Sequence, residues 1–155
     1  MTGSEVVTRT AGDGYRTDID AAGFRLTADE PGTLGGTGAG PSPYDLLLGA
    51  LGACTGMTLR MYAARKGWPL EEVTVKLREG RDHAADCADC ERPDAKITAL
   101  QREITVRGEL DDAQRARLLQ IAEQCPVHKS LAGAFRVSTT LRQEEQDAGA
   151  APVPA

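Results

Sequence analysis

Apolar and polar positions fall into distinct regimes along the chain. Residues 5–9, 15–20 and 24–30 alternate or cluster as short strands split by Gly12–Gly14 and Ala22–Gly23, which predicts an N-terminal antiparallel meander. From Leu46 to Leu59 there is no charge at all. Ser42 followed by Pro43 reads as the start of a helix reaching about Lys66, with Asp45 completing a capping box. An uncharged run of this kind lacks the polar stripe of a surface helix, so the helix is expected to be covered on nearly every side and to form the core of the fold. Gly49, Gly52, Ala53 and Gly56 follow i, i+3, i+4, i+7 and leave one face almost bare backbone, which calls for close approach by another element such as a second helix.

Beyond Gly67, a helix stop, Val73, Val75 and Leu77 alternate with Thr74, Lys76 and Arg78, the pattern of a half-buried strand. A second alternation runs from Leu100 to Leu110, with Arg102 as its one off-pattern inward residue, expected near an edge. The two are expected to pair, with polar residues 81–96 as an excursion from the hairpin. Leu118, Ile121, Ala122 and Cys125 again follow i, i+3, i+4, i+7 behind a cap at Asp111 and Gln114. A second helix is therefore predicted, with Cys125 ending its core-facing stripe and Pro126 helping to stop it. A short helical turn over 127–133 and a strand over 135–141 follow. The whole reads as one α+β domain over residues 1–143 with a disordered tail over 144–155.

Composition narrows the function. A chain of 155 residues is long enough for a core without disulfide staples, and a net charge of -5 argues against nucleic acid as a partner. The uncharged run is too short and too rich in glycine to span a bilayer comfortably, and no secretion signal precedes it. A cytoplasmic location is expected, where four cysteines point to catalysis or metal binding rather than structural disulfides. The glycine-rich stretch 31–40 has neither the Gly-Lys-Ser/Thr of a phosphate loop nor dinucleotide spacing, and reads as a flexible lead-in to the helix.

Cys54 and Cys125 are the candidate chemistry, two thiols on inward faces of helices that share a core and so candidates for a reversible disulfide. A rival reading joins Cys87-x-x-Cys90 to Cys125-x-x-His128 as two zinc-ligand pairs, with His83 to spare. A third is a non-catalytic protein that binds an apolar ligand beside Cys54.

The blocks P-S-P-Y-D-L-L-L-G-A-L-G-A-C-T-G-M-T-L-R-M-Y-A around Cys54 and C-P-V-H-K-S-L from Cys125, in this order of elements, resemble the OsmC/Ohr family of peroxide-handling proteins. The likeness is to a less characterised branch with an inserted C-x-x-C. The resemblance implies antiparallel sheets around a long buried helix and an intertwined homodimer with its active sites at the subunit interface. It also implies that Cys54 attacks an organic hydroperoxide, that Cys125 resolves the product to a disulfide, and that a dithiol reductant resets the pair without a cofactor. Leu47, Met57 and Met61 would form the apolar wall for the substrate. In the well-known branches an arginine from the N-terminal strands and a glutamate near the helix start support the thiolate. Here the corresponding position holds Tyr44, beside Asp45, so Arg16, Arg25 and Arg60 stand as candidate cations.

Overall fold

The computed structural model describes residues 5–83, 96–132 and 136–142. Two compact units divide the chain, Met1–Ala50 and Leu51–Ala155, with the boundary inside the first long helix.

In the first unit, strands β1 (Val6–Thr10), β2 (Thr17–Ala21) and β3 (Phe24–Ala28) form an antiparallel sheet in that order, as the alternation predicts. Ala22 and Gly23 make the two-residue loop between β2 and β3 with φ of 53° and 85°. Positive φ at both positions matches the twist of a tight hairpin, and the Asp20 carboxylate accepts the Gly23 N–H at 3.2 Å. The glycine-rich stretch is tied down, not flexible as its composition implied. A turn of 3-10 helix over Gly32–Leu34 precedes a knot on Asp29, which is 2% exposed. Its carboxylate accepts the N–H groups of Glu30 (2.8 Å), Thr37 (3.0 Å) and Ala39 (3.1 Å) and the Thr37 hydroxyl (2.5 Å). These bonds, the Thr37 hydroxyl foremost, lower the carboxyl pKa to about 2 against the opposing cost of burial.

Helix α1 (Pro43–Lys66) begins with the capping box read from the sequence. Ser42 Oγ accepts the Asp45 N–H at 3.2 Å, while the Asp45 carboxylate accepts the Ser42 N–H at 2.9 Å and its hydroxyl at 2.7 Å. The helix ends where Gly67 turns left-handed at φ 66°. There the Trp68 N–H reaches Ala63 O and the Gly67 N–H reaches Ala64 O, the paired bonds of a Schellman cap.

In the second unit, β4 (Leu70–His83), β5 (Lys96–Gly108) and β6 (Arg136–Arg142) form a sheet in the order β4-β5-β6. The β4–β5 pairing is antiparallel and continues to His83 opposite Lys96, so the predicted hairpin is present. The β5–β6 pairing is parallel, joined through α2 (Asp112–Ala122) and α3 (Pro126–Leu131). Asp111 and Gln114 close the capping box of α2 as expected. Leu59 and Ala63 of α1 pack with Leu70, Ile104, Val106, Leu110, Leu118 and Ala122 to make the core. Arg60 ties α1 to the start of β4 through the carbonyls of Leu70 and Glu71, and Arg115 ties α2 to β5 through those of Val106 and Gly108.

Three sequence expectations are corrected. Within the described residues α1 is not covered all round: Leu51, Thr55, Leu59 and Ala63 form one buried stripe, while Met57 and Met61 are 67% and 61% exposed. Its 24 residues also make it long and apolar enough to cross a membrane by length and composition, a property shared with core helices. Arg102 lies not near an edge but in the central strand, 1% exposed.

Candidate functional site

Cys54 sits on α1 one residue before the buried stripe position Thr55 and is partly buried. Cys125 is completely buried, but it does not end α2 as expected. That helix stops at Ala122, and Cys125, with φ −54° and ψ 127°, is the residue from which α3 starts at Pro126. Proline disfavours helical backbone in the residue before it, so the chain breaks at Cys125 and its side chain turns inward. There the two thiols come near one another, each close enough to shift the other's titration, and both are free.

Their surroundings differ. Burial pushes the Cys54 thiol up, and its bond to Cys125 adds to the rise, against the Val127 N–H and the Thr58 hydroxyl. Burial is also the largest influence on Cys125 and acts upward. It is outweighed by donors converging on that sulfur from the Cys54 thiol, the His128 N–H, the Thr55 hydroxyl and the Val127 N–H, so Cys125 titrates below an ordinary cysteine.

Behind Thr55 stands Arg102, and each of its five N–H directions is used. Nη1 donates to Thr55 Oγ1 at 3.0 Å and to Ala122 O at 3.3 Å; Nη2 donates to Glu123 Oε1 and to Thr139 Oγ1, both at 2.8 Å; Nε donates to Thr139 Oγ1 at 3.2 Å. The Arg102–Glu123 pair joins a guanidinium with no exposed surface to a carboxylate whose side chain is 43% exposed. The other Glu123 oxygen lies 3.2 Å from His128 Nε2. Burial, aided by the Arg102 charge and opposed by Glu123, lowers the His128 pKa and favours the neutral ring, whose buried Nδ1 has no hydrogen-bond partner among the described residues.

The sequence-based site residues distribute unevenly. The structure brings Cys54 and Cys125 together. Arg60 is committed to the Leu70 and Glu71 carbonyls, so it is not a thiolate-supporting cation. Met57 points to water within the chain. Tyr44, Asp45, Leu47, Arg16 and Arg25 belong to the first unit; Tyr44 is 45% exposed, Arg16 pairs with Asp18, and the Asp45 carboxylate is taken up by Ser42. Cys87 and Cys90 lie outside the described residues, as does the side chain of His83. Among the described residues no three His, Cys, Asp or Glu side chains form a metal-binding group, and Cys125 and His128 face Cys54 and Glu123 instead. Thr55, Arg102 and Glu123 were not singled out from the sequence, although the misfit of Arg102 on an inward position was a signal.

The profile of the family described as OsmC-like protein matches residues 36–140. No curated protein matches the sequence. Among solved structures, an OsmC-like protein from Mycoplasma pneumoniae superposes with a TM-score of 0.74 at 16% identity, over 93% of this chain and 99% of the other. A putative osmotic stress induced and detoxification response protein from Psychrobacter arcticus gives 0.70 at 23% identity, covering 92% and 96%. An organic hydroperoxide resistance protein from Legionella pneumophila gives 0.68 at 18% identity, covering 91% and 97%. With two small sheets and three α-helices among its described residues, and with most of its length matched by the family profile, this chain belongs to the OsmC-like protein family.

Proposed function

We propose that the protein is a thiol-dependent peroxidase that reduces organic hydroperoxides, with Cys54 as the attacking thiol and Cys125 as its resolving partner. The observation that carries this reading is that the two free thiols are neighbours, close enough for each to shift the titration of the other. Two neighbouring sulfurs on separate elements, one partly accessible and one fully buried, suit a cycle that begins with an incoming oxidant and ends in a disulfide. Membership of the OsmC-like family and the names of structural neighbours support a peroxide-related role.

In the first step the Cys54 sulfur attacks the distal peroxide oxygen. The O–O bond breaks, a sulfenic acid forms on Cys54, and the alkoxide takes up a proton to leave as alcohol. The Cys125 thiolate then attacks the Cys54 sulfur; an S–S bond forms and hydroxide departs, protonated to water. A dithiol reductant returns two electrons and two protons by exchange.

The active assembly in this reading is a homodimer. Ala53, Met57 and Met61 form an exposed apolar strip on α1, and a second copy of the chain is the partner proposed to cover it. The cycle is tested with two variants exposed to cumene hydroperoxide. Cys54→Ser should abolish consumption, whereas Cys125→Ser should accumulate a sulfenic acid on Cys54 that a dimedone probe captures. Unchanged consumption by Cys54→Ser would defeat the reading.

A further inference from the structure

Leu100, Arg102, Ile104 and Val106 are the core-facing positions of β5, each 1% exposed or less. An arginine among three aliphatic residues on a buried strand face is costly unless its donors are taken up, and a methionine or leucine would fill the site without that cost. What the guanidinium holds therefore bears on why it stands there. It reaches both of the chain segments that carry the two free thiols.

On one side is the turn of α1 around Cys54. Arg102 Nη1 donates to Oγ1 of Thr55, the next residue along the helix, at 3.0 Å. That turn is braced from within: Thr55 Oγ1 donates to Leu51 O at 2.8 Å, and Thr58 Oγ1 donates to Cys54 O at 2.7 Å. On the other side is the corner at Cys125, where α2 has ended and α3 has not begun. The same Nη1 donates to Ala122 O at 3.3 Å, and that carbonyl also accepts the Cys125 N–H at 3.3 Å. Nη2 donates at 2.8 Å to Glu123 Oε1, two residues before Cys125. Glu123 Oε2 lies 3.2 Å from Nε2 of His128, three residues after it. Thr139 of β6 accepts from both Nε and Nη2 and fixes the plane of the fork.

Resting on the peroxidase reading and deepening it, we propose that Arg102 is the positioning residue of the thiol couple, joining the Thr55 turn of α1 to the corner at Ala122 and Glu123 so that Cys54 and Cys125 stand where a disulfide can close. A disulfide forms only within a narrow window of Cα separation and Cβ direction. Helix α1 gives Cys54 a rigid mount, whereas Cys125 lies between two helices and depends on side-chain anchors for its place. A planar fork of five donors can bridge the two segments at once; a lysine, with its donors on a single nitrogen, cannot.

Two routes lead to the same bond. In the peroxidase cycle the Cys125 thiol attacks the sulfenic sulfur of Cys54, the S–S bond forms, and water leaves. In a glutathione buffer the two thiols pass two electrons and two protons to oxidised glutathione, giving the same S–S bond and two molecules of reduced glutathione. Both require the same approach of the sulfurs, so the second measures that approach without peroxide.

The test equilibrates the full-length protein with graded ratios of oxidised to reduced glutathione and quantifies the Cys54–Cys125 peptide pair by mass spectrometry, which keeps Cys87 and Cys90 out of the reading. The wild type should form the bond. Thr55→Val keeps the shape, removes the acceptor and leaves Arg102 its bonds to Ala122, Glu123 and Thr139. It should lower the dithiol–disulfide equilibrium constant by about tenfold, the equivalent of one hydrogen bond to a charged group. Thr55→Ser should restore the constant, and Arg102→Met and Arg102→Lys should lower it at least as far as Thr55→Val. Leu118→Ala takes volume from the same core but removes no bond to Arg102, and should lower stability while leaving the constant unchanged. A constant unchanged in Thr55→Val, one lowered as far by Leu118→Ala, or a wild type that forms no such bond at any glutathione ratio would overturn the inference. If the glutathione series behaves as expected but cumene hydroperoxide leaves both thiols reduced, Arg102 keeps its role and the peroxidase reading alone falls.

Discussion

Replacing the two exposed methionines of α1 by charges tests whether a second chain covers that helix. Full burial of a methionine side chain contributes roughly 1.5–3 kcal/mol. Met57 and Met61 retain 67% and 61% of their surface in the single chain, so about 1–2 kcal/mol each remains to be gained. In a symmetric dimer the same patch is used twice, giving about 4–8 kcal/mol, or roughly a thousandfold or more in the dissociation constant. The double variant Met57→Glu, Met61→Lys removes this while keeping the helix intact, because glutamate four residues before lysine supports a helix. Neither side chain belongs to the monomer core, so the far-ultraviolet circular dichroism should change little. Sedimentation equilibrium over a concentration series should show a dimer for the wild type and a monomer for the variant. A wild-type monomer throughout, or a variant with the wild-type dissociation constant, would refute the reasoning.

Other tests address the fold and its pH response. Leu118→Ala removes a fully buried side chain from the core of the second unit and should cost about 2–5 kcal/mol, read from the urea midpoint of unfolding. Asp29→Ala removes the acceptor of four hydrogen bonds and should make residues 30–40 markedly more susceptible to limited proteolysis. For Asp29 itself, the unfolded chain binds a proton more readily than the folded one, so its contribution to stability should fade as pH drops from 3.8 towards about 2. His128 is likewise harder to protonate when folded. Stability should therefore fall as pH drops below 6.5, by at most about 1.4 kcal/mol per pH unit, and His128→Asn should remove that dependence.

Local rules carried most of the fold. Both capping boxes, the glycine stop after α1, the meander and the β4–β5 hairpin rest on contacts between neighbours in sequence or on strict alternation, and each was legible in advance. Periodicity failed at Cys125 because the i, i+3, i+4, i+7 pattern continues past Ala122 while the backbone does not; Pro126 decides the geometry of the residue before it. Apolar content announced α1 as buried without saying that one chain covers only one stripe. Arg102 was misjudged for a different reason. An inward arginine on an alternating strand looks like a defect unless its partners are known, and Glu123, Thr139 and Thr55 lie 21, 37 and 47 residues away along the chain. No spacing rule joins them. The cation was sought beside Cys54 among Arg16, Arg25 and Arg60, whereas the fold buries Arg102 against the hydroxyl of Thr55, the next residue along α1.

The most direct measurement is disulfide mapping by mass spectrometry after brief exposure of the reduced protein to one equivalent of cumene hydroperoxide. The account expects an intrachain Cys54–Cys125 bond with loss of two thiols per chain. Cys54 overoxidised while Cys125 stays a free thiol, or both left reduced after the peroxide is added in excess, would contradict it.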